Sequence, residues 1–341
     1  MAITIKDVAK DAGVAISTVS KYMNGGNVRK ENQIKIEESI EKLGYKPNEY
    51  ARSLRGSKTW NIGFLVDNVK AIFSTQIVGL LEQRMKKYGY SILLGSHGND
   101  YDTAKKMIDT LVNDQVDAIV LEPLEGNIGY LESAEKANIP IIAIDRVLDV
   151  HSYDSITSNA MLGIYNGVEY LIRNGHEKIA IISATQEGTI GIKSGSARLK
   201  GYIRALEDYE IELNKDYIFE GDFSFDSGYR CMKKIWELED CPTAVIVANY
   251  HMGLGMISAI HELNINVPED LSFVSFDDMP AYKMFNPQIT AIAQPIHEYA
   301  KTISDLVFKR IQGDYSDFPI NIKLHTELIE RETVRKLTKN K

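Results

Sequence analysis

The polar residues that could carry out a reaction are present, but not at the spacings reactions need. Lys193-Ser194 follows Ile192, where a phosphate-cradling Walker loop has glycine directly before its Lys-Ser/Thr. In Gly191-Ile192-Lys193-Ser194-Gly195 the serine stands one place too late for the Gly-x-Ser-x-Gly turn that presents a nucleophile. No Gly-x-Gly-x-x-Gly follows the apolar run that begins at Ile62. The 7 histidines are scattered, and none shares a metal-ligand spacing with a cysteine or a second histidine. Cys231 and Cys241 are too few for a disulfide framework. Neither an enzyme, a cofactor nor a structural metal is expected. The residue types suit binding instead. Arg198 starts a helix-like run, where a cation gains nothing from the helix dipole, so a ligand role is the better reading. Asp277 follows the apolar run Phe273–Phe276, at the strand end where open α/β sheets hold ligands.

The elements that must position these residues fall into two parts. From Asn61 onward, apolar runs alternate with amphipathic stretches. Strands are expected at Ile62–Val66, Ser91–Leu94, Ala118–Leu121 and Ile139–Ile144, with helices near Thr75–Lys87, Thr103–Asn113 and Tyr130–Ala137. A second series follows at Lys178–Ile182, Tyr217–Glu220, Ala244–Ala248 and Ser272–Phe276. Its helices lie near Leu162–Arg173, Ser196–Asp208, Phe225–Trp236 and Met252–Leu263. Alternating strand and helix implies parallel sheets with helices on both faces. Two series of about four units predict two similar lobes with a ligand cleft between them.

The first sixty residues differ in charge and in pattern. They carry 11 Lys+Arg against 7 Asp+Glu, a net of +4, whereas the remaining 28 against 40 give −12. Helices are expected from Ile5 to a stop at Gly13, from Ala15 or Ile16 to about Met23, and through Ile36, Ile40 and Leu43 to Gly44. Helix, short turn with glycine, helix is the helix-turn-helix pattern, and another small helical bundle would show it equally. A fourth candidate, Asn48–Arg55 after Pro47, is shorter than the ~12–15 residues at which an isolated helix is marginal, so something else must order it. At 341 residues the chain exceeds the ~250–300 of a single core. No apolar run approaches the ~20 residues of a membrane span, and Met1–Lys10 lacks a signal-peptide layout. A cytoplasmic protein without membrane contact is expected.

Thr4-Ile5-Lys6-Asp7-Val8-Ala9, Ala12-Gly13-Val14, Thr18-Val19-Ser20-Lys21, Leu43-Gly44-Tyr45-Lys46-Pro47-Asn48 and Ala51-Arg52-Ser53-Leu54 resemble the lactose/galactose repressor family of bacterial transcriptional regulators. So do Ile62-Gly63, Asn174-Gly175-His176, Ser196-Ala197-Arg198-Leu199-Lys200-Gly201 and Asp277-Asp278, in the family's order along the whole chain. The resemblance implies a small all-α helix-turn-helix headpiece (1–46), a hinge helix and linker (47–60) and an α/β core (61–341) like the type I periplasmic sugar-binding proteins. It places lobe 1 at about 61–161 and 291–320, and lobe 2 at about 162–290 and 321–335.

By resemblance, Ile16, Ser17 and Lys21 face bases in the major groove. Ile16 can offer only apolar contact, and Lys21 can donate to guanine O6/N7. Thr4, Thr18, Ser20, Asn24 and Asn32 would hold phosphates, with helix capping the other reading of Thr4. Asn48, Ala51 and Leu54 belong to the hinge. There Leu54 matches a leucine wedged into the minor groove, or else tucks against its own domain, and Ala51 lets two hinge helices pack closely. Ala15 stands where the family commonly has Ser, and Lys21 where Arg is more frequent; Lys lacks the rigid bidentate fork.

The implied effector set is Asp67, Phe73, Asp145 and Arg146 from the first lobe, Ser194, Arg198, Phe223, Asn249 and Asp277 from the second, and Gln294 from a crossover. Polar planar groups with an aromatic face suit a sugar. An inter-lobe salt bridge is the other reading of Asp67, Asp145 and Arg146. Lys70-Ala71-Ile72-Phe73 replaces the usual Asn-Pro-Phe-Phe, Tyr250-His251 follows Asn249 where Asp is usual, and Ser158-Asn159 replaces a frequent Asp-Asn. These changes admit a larger or more aromatic-lined pocket. The expected protein is thus a repressor that binds a pseudo-palindromic double-stranded operator as a homodimer. A mono- or disaccharide switches it. A nucleobase effector, or a sugar binder without DNA function, is the alternative. The tail from Arg331 has no leucine heptads, so a C-terminal coiled coil is not expected.

Overall fold

The computed structural model describes residues 3–23, 26–45, 58–124, 126–148, 152–184 and 193–337, the side chains of 193–196 excepted. It divides into two compact units, Met1–Thr59 and Trp60–Lys341.

In the first unit, helices Ile5–Asp11, Ile16–Met23 and Lys30–Leu43 enclose a small core of Val8, Ala9, Ala12, Val19 and Ile36. Local chemistry sets their ends. Thr4 donates both its backbone N–H (2.8 Å) and its hydroxyl (2.7 Å) to Asp7 Oδ2 at the start of the first helix. Gly44 closes the third at φ +60°, the left-handed conformation glycine adopts without a Cβ penalty. Tyr22 donates to Glu37 (2.7 Å) and Lys42 pairs with Asp11 (2.7 Å), joining the helices at the rim of the core. The expected hinge helix Asn48–Arg55 lies outside the described residues.

The second unit is built from two six-stranded sheets. Strands β1 (Asn61–Val66), β2 (Ser91–Ser96), β3 (Ala118–Leu121), β4 (Ile141–Ile144) and β5 (Asp154–Ser158) form most of the first. Strands β6 (Ile179–Ser183), β7 (Ile218–Glu220), β8 (Ala244–Val247), β9 (Ser272–Phe276) and β10 (Thr290–Ala293) form most of the second. Strand β11 (Asn321–Leu324) pairs parallel with β5, and β12 (Glu327–Ile329) pairs antiparallel with β10. The orders are β11-β5-β4-β3-β1-β2 and β12-β10-β9-β8-β6-β7, so the lobes repeat one topology. Central strands such as Ala118–Leu121 and Ala244–Val247 are buried throughout, as strands covered by helices on both faces must be.

Strand pairing corrects the expected lobe boundaries. Residues 291–293 lie in β10 beside β9 in the second sheet, not in lobe 1, and β11 completes the first sheet although 321–335 was expected in lobe 2. The chain therefore changes lobes three times, after β5, after β10 and after β11. The expectation of about four strands per lobe is likewise corrected to six. Strands β5, β11 and β12 are short and partly polar, as in Asp154-Ser155-Ile156-Thr157-Ser158, so no apolar run announces them, and β10 is apolar but only 4 residues long. Helix Ile296–Ile311 follows the second crossover and buries Tyr299, Ile303 and Val307 against Ile77 and Leu81 of helix Ile72–Lys86. Arg310 fixes its end. Its Nε and Nη2 donate to both Asp154 carboxylate oxygens (2.7 and 2.9 Å) inside the first lobe.

Candidate functional site

Because every strand but one runs parallel, the carboxyl ends of both sheets and the loops after them face one region, and there the lobes enclose a cleft of about 560 Å³. Asp67 follows β1, Asp145 and Arg146 follow β4, and Asp277 follows β9. Asn249 N-caps helix Tyr250–Glu262, its Oδ1 accepting the Met252 N–H at 2.9 Å, while its Nδ2 donates to the Phe223 carbonyl at 3.2 Å. Phe73, Arg198, Phe223 and Gln294 complete the set, so nine of the ten expected effector residues line one cleft. The tenth, Ser194, lies in helix Lys193–Asp208 with its side chain outside the description.

Contrary to what its sequence suggests, Arg198 does not lie at the start of its helix. The helix begins at Lys193, so Arg198 sits beyond its first turn, where the dipole has faded. Packing singles it out instead. The guanidinium lies 4.2 Å from the Phe276 ring centroid and 5.7 Å from that of Phe223, and its buried Nε has no hydrogen-bond partner among the described residues. An unmet buried donor is costly, and a ligand oxygen would satisfy it.

Asp277 is the end of a polar chain. Gln294 Nε2 donates to Asp277 Oδ1 (2.7 Å), and Ser158, at the first crossover, donates its hydroxyl to Gln294 Oε1 (2.6 Å). Burial pushes the Asp277 carboxyl upward, opposed by the nearby Arg198 charge and the Gln294 hydrogen bond.

The other reading of Asp67, Asp145 and Arg146, a salt bridge between lobes, is corrected: the bridge lies within the first lobe. Arg146 Nη2 meets Asp67 Oδ2 at 3.2 Å, Nε lies 3.9 Å from Asp145, and Nη1 donates to the Pro123 carbonyl at 3.3 Å. Asp145, Phe223 and Asp277 all adopt positive φ (64°, 63° and 72°), and all three line the cleft. Such backbone costs on the order of 1–3 kcal/mol per residue and is concentrated at functional sites.

Sequence reasoning missed Glu122, which follows β3 and lines the same cleft. It is 3% exposed, accepts the Asp67 N–H at 2.9 Å and a short bond from the Ser74 hydroxyl, and burial beside Asp67 and Asp145 pushes it up to about 8. Lys70 and His251, noted as departures from the family's pocket pattern, line the cleft, and so do Asn68, Asn99 and Asp222, which were not expected. Asn174-Gly175-His176, part of the recognised pattern, is placed elsewhere. Buried His176 contacts Thr243 Oγ1 (2.9 Å) and the Arg335 carbonyl (3.1 Å), clasping the C-terminal segment.

In the first unit, Ile16, Ser17 and Lys21 are exposed on the second helix while Val19 faces the core. Thr18, Ser20 and Asn32 are half-buried. Thr4 is engaged with Asp7 as a helix cap. Asn24, Asn48, Ala51 and Leu54 lie outside the described residues. Among the described residues no group of His, Cys, Asp and Glu could hold a metal, and no helix is long and apolar enough to cross a membrane.

Known proteins share both parts. The family model described as bacterial regulatory proteins, lacI family, matches residues 4–48, and that for a periplasmic binding protein-like domain matches 168–334. The chain is 34% identical over 338 residues to the HTH-type transcriptional repressor PurR of Histophilus somni (strain 2336), covering 98% of this chain and 99% of that one. It is 31% identical over 323 residues to catabolite control protein A of Priestia megaterium, covering 94% and 96%. Among solved structures, the lac repressor dimer bound to operator and the anti-inducer ONPF superposes with a TM-score of 0.86 at 27% identity, covering 98% of this chain and 100% of that one. A complex of the regulator CelR with cellobiose gives 0.72 at 25%, covering 97% and 99%. With the headpiece helices, the twin parallel sheets and near end-to-end matches in agreement, the chain belongs to the lacI family of DNA-binding bacterial transcriptional regulators.

Proposed function

We propose that this protein is a cytoplasmic, homodimeric repressor whose operator affinity is set by a sugar bound between the lobes. The observation that carries the reading is the convergence of nine expected residues on one cleft reached from both lobes. Carboxylates at Asp67, Asp145 and Asp277 accept from hydroxyls, Asn249 and Gln294 offer amides, and Arg198 brings an unmet donor. Phe73 from the first lobe and Phe223 from the second supply ring faces. A ligand that touches both lobes favours one inter-lobe angle and shifts the protein by its differential affinity for the two states. The CelR–cellobiose complex supports the sugar class by relationship.

On DNA, Ile16, Ser17 and Lys21 read base edges while Thr18, Ser20, Asn24 and Asn32 hold phosphates. Thr4 keeps its helix capped and contributes to phosphate binding only if its hydroxyl leaves Asp7. Asn48, Ala51 and Leu54 act in the hinge, Leu54 as the wedge that kinks a pseudo-palindromic site.

The test is a thermal-shift screen of the full chain against mono- and disaccharides and purine bases, followed by operator titrations with each compound that stabilises it. Binding to the native state raises stability by mass action. A sugar that both stabilises the protein and changes operator affinity is the expected result. A purine with that effect, and no active sugar, transfers the cleft to the nucleobase reading.

A further inference from the structure

Glu122 has no role in the reading above, yet it is the most deeply placed carboxyl of the first-lobe side of the cleft. Its oxygens accept from two uncharged donors, the Asp67 N–H (2.9 Å) and the Ser74 hydroxyl. The charged and titratable groups around it come from every neighbouring strand end and from the helix beneath. Asp67 and Asp145 carry its own sign. Arg146, the nearby cation, is committed to Asp67 (3.2 Å), Asp145 (3.9 Å) and the Pro123 carbonyl (3.3 Å). His97 Nδ1 accepts the Asn99 N–H (3.0 Å), so its Nε2 carries the hydrogen donated to the Glu122 carbonyl (2.8 Å), and burial keeps the ring neutral. Tyr299, from helix Ile296–Ile311, is fully buried and its phenol stays protonated. Among the described residues Glu122 therefore has no cation of its own, and a buried ionised carboxylate in that position is strongly disfavoured.

We propose that Glu122 is an uncharged carboxylic acid at neutral pH and that its hydroxyl donates a hydrogen bond from the floor of the first lobe to an effector oxygen. The inference rests on the cleft being the effector site. A carboxylate can only accept, whereas a carboxylic acid also donates. The two lobes then make complementary demands. Asp277 asks for a ligand hydroxyl, and Glu122 asks for an oxygen with a free lone pair, such as a ring, glycosidic or carbonyl oxygen. In the cleft Asp67, Asp145, Asp222 and Asp277 are offset by Lys70, Arg146 and Arg198, and the ligand class that meets both an acceptor at Asp277 and a donor at Glu122 is a neutral, oxygen-rich molecule. Binding is also proton-linked. Loss of the proton replaces the donor with a negative charge facing ligand oxygens, so affinity is level below about pH 8 and falls up to about tenfold per pH unit above it.

Infrared spectra of the full chain, without added sugar, test the protonation. The carbonyl band of protonated carboxyl groups at pH 7 is expected to be weaker in Glu122→Gln than in the parent by one group, and this difference fades towards pH 10. In Ser74→Ala, which removes a donor to the ionised form, the midpoint of the fading moves up. No parent-minus-variant band at pH 7, or an unmoved midpoint in Ser74→Ala, overturns the uncharged acid. Calorimetric titrations with D-ribose, D-glucose and cellobiose from pH 6.5 to 9.5 test the donor. Glu122→Gln keeps an N–H donor but cannot ionise, so its affinity is expected to stay level with pH where the parent's falls. Parallel pH profiles for parent and variant overturn the donor role. Failure of all three sugars to bind, with the infrared band present, counts against the sugar reading and leaves the acid established.

Discussion

Arg198 shows how a single side chain can be structurally supported and still chemically unfinished. Its plane rests on Phe276, which orders it, while its buried Nε has no partner among the described residues. Arg198→Ala is expected to lower sugar affinity roughly ten- to a hundredfold, the loss of charge-assisted hydrogen bonds worth around 1.5–3 kcal/mol. Operator affinity without sugar should stay at the parent's value. DNA titrations of parent and variant, with and without the stabilising sugar, check this; a response at the parent's sugar concentration makes Arg198 a packing residue. Glu122 makes a second prediction, about stability. Between an ordinary glutamate's 4.5 and about 8, the unfolded chain has released this proton while the folded chain still holds it. Rising pH therefore favours the unfolded state across that window and stops doing so above it. Glu122→Gln removes the effect, so its Tm relative to the parent should climb from pH 5 to 8 and then level off. A constant difference across that range would mean that Glu122 is ionised throughout.

Helix pairs in the second lobe depend on glycines that let backbones meet. A Cβ on Gly255 would lie 1.9 Å from the Phe225 carbonyl, where helices Tyr250–Glu262 and Phe225–Trp236 pack. Gly201 approaches the Met161 carbonyl in the same way, at 2.2 Å, where helix Lys193–Asp208 packs on helix Ala160–Arg173. Neither backbone can yield as a flexible side chain would, so Gly255→Ala is expected to cost on the order of 1–3 kcal/mol by forced repacking. Gly79, inside helix Ile72–Lys86, has nothing within 4 Å of its Cβ position. Gly79→Ala should instead stabilise by roughly 0.5–1 kcal/mol, the usual gain of alanine over glycine within a helix. Urea denaturation of both variants checks the pair; shifts of opposite sign are required, and similar midpoints would mean the second-lobe helices can slide apart at little cost.

At the scale of the molecule, three crossovers join the lobes, and the chain Ser158–Gln294–Asp277 links two of them to the cleft. A ligand reaching Asp277 therefore acts beside the segments that join the lobes. The proposed output is the hinge. Leu54→Ala should weaken specific operator binding and reduce DNA bending, because the apolar wedge that unstacks a base step is gone. The core is untouched, so sugar affinity should not change. Bending measured on one operator with both proteins decides it, and equal bending removes the wedge from the proposal.

Local chemistry made much of this legible from the chain itself. Gly13 and Gly44 ended helices where expected because glycine takes positive φ freely, and apolar runs such as Ala118–Leu121 announced strands buried on both faces. Asp277 was found by its place after such a run. Glu122 stands in the same relation to Leu121, and the rule that found one could have found the other. What was not legible depends on contacts between residues far apart in the chain. Whether β10 and β11 belong to the first or second sheet is decided by pairing with β9 and β5, since strands of 4 residues carry no signal of which sheet they join. The partner of Arg146 is Asp67, 79 residues away and in its own lobe. The uncharged state inferred for Glu122 comes from burial beside Asp67 and Asp145, brought together by adjacent strand ends. Sequence by itself determined the family, the headpiece helices and the first four strands of each lobe, because propensity, capping and burial patterns act within a few residues. Only the tertiary structure decided lobe membership, ion pairing and charge state, because those energies exist only once distant residues share the same space.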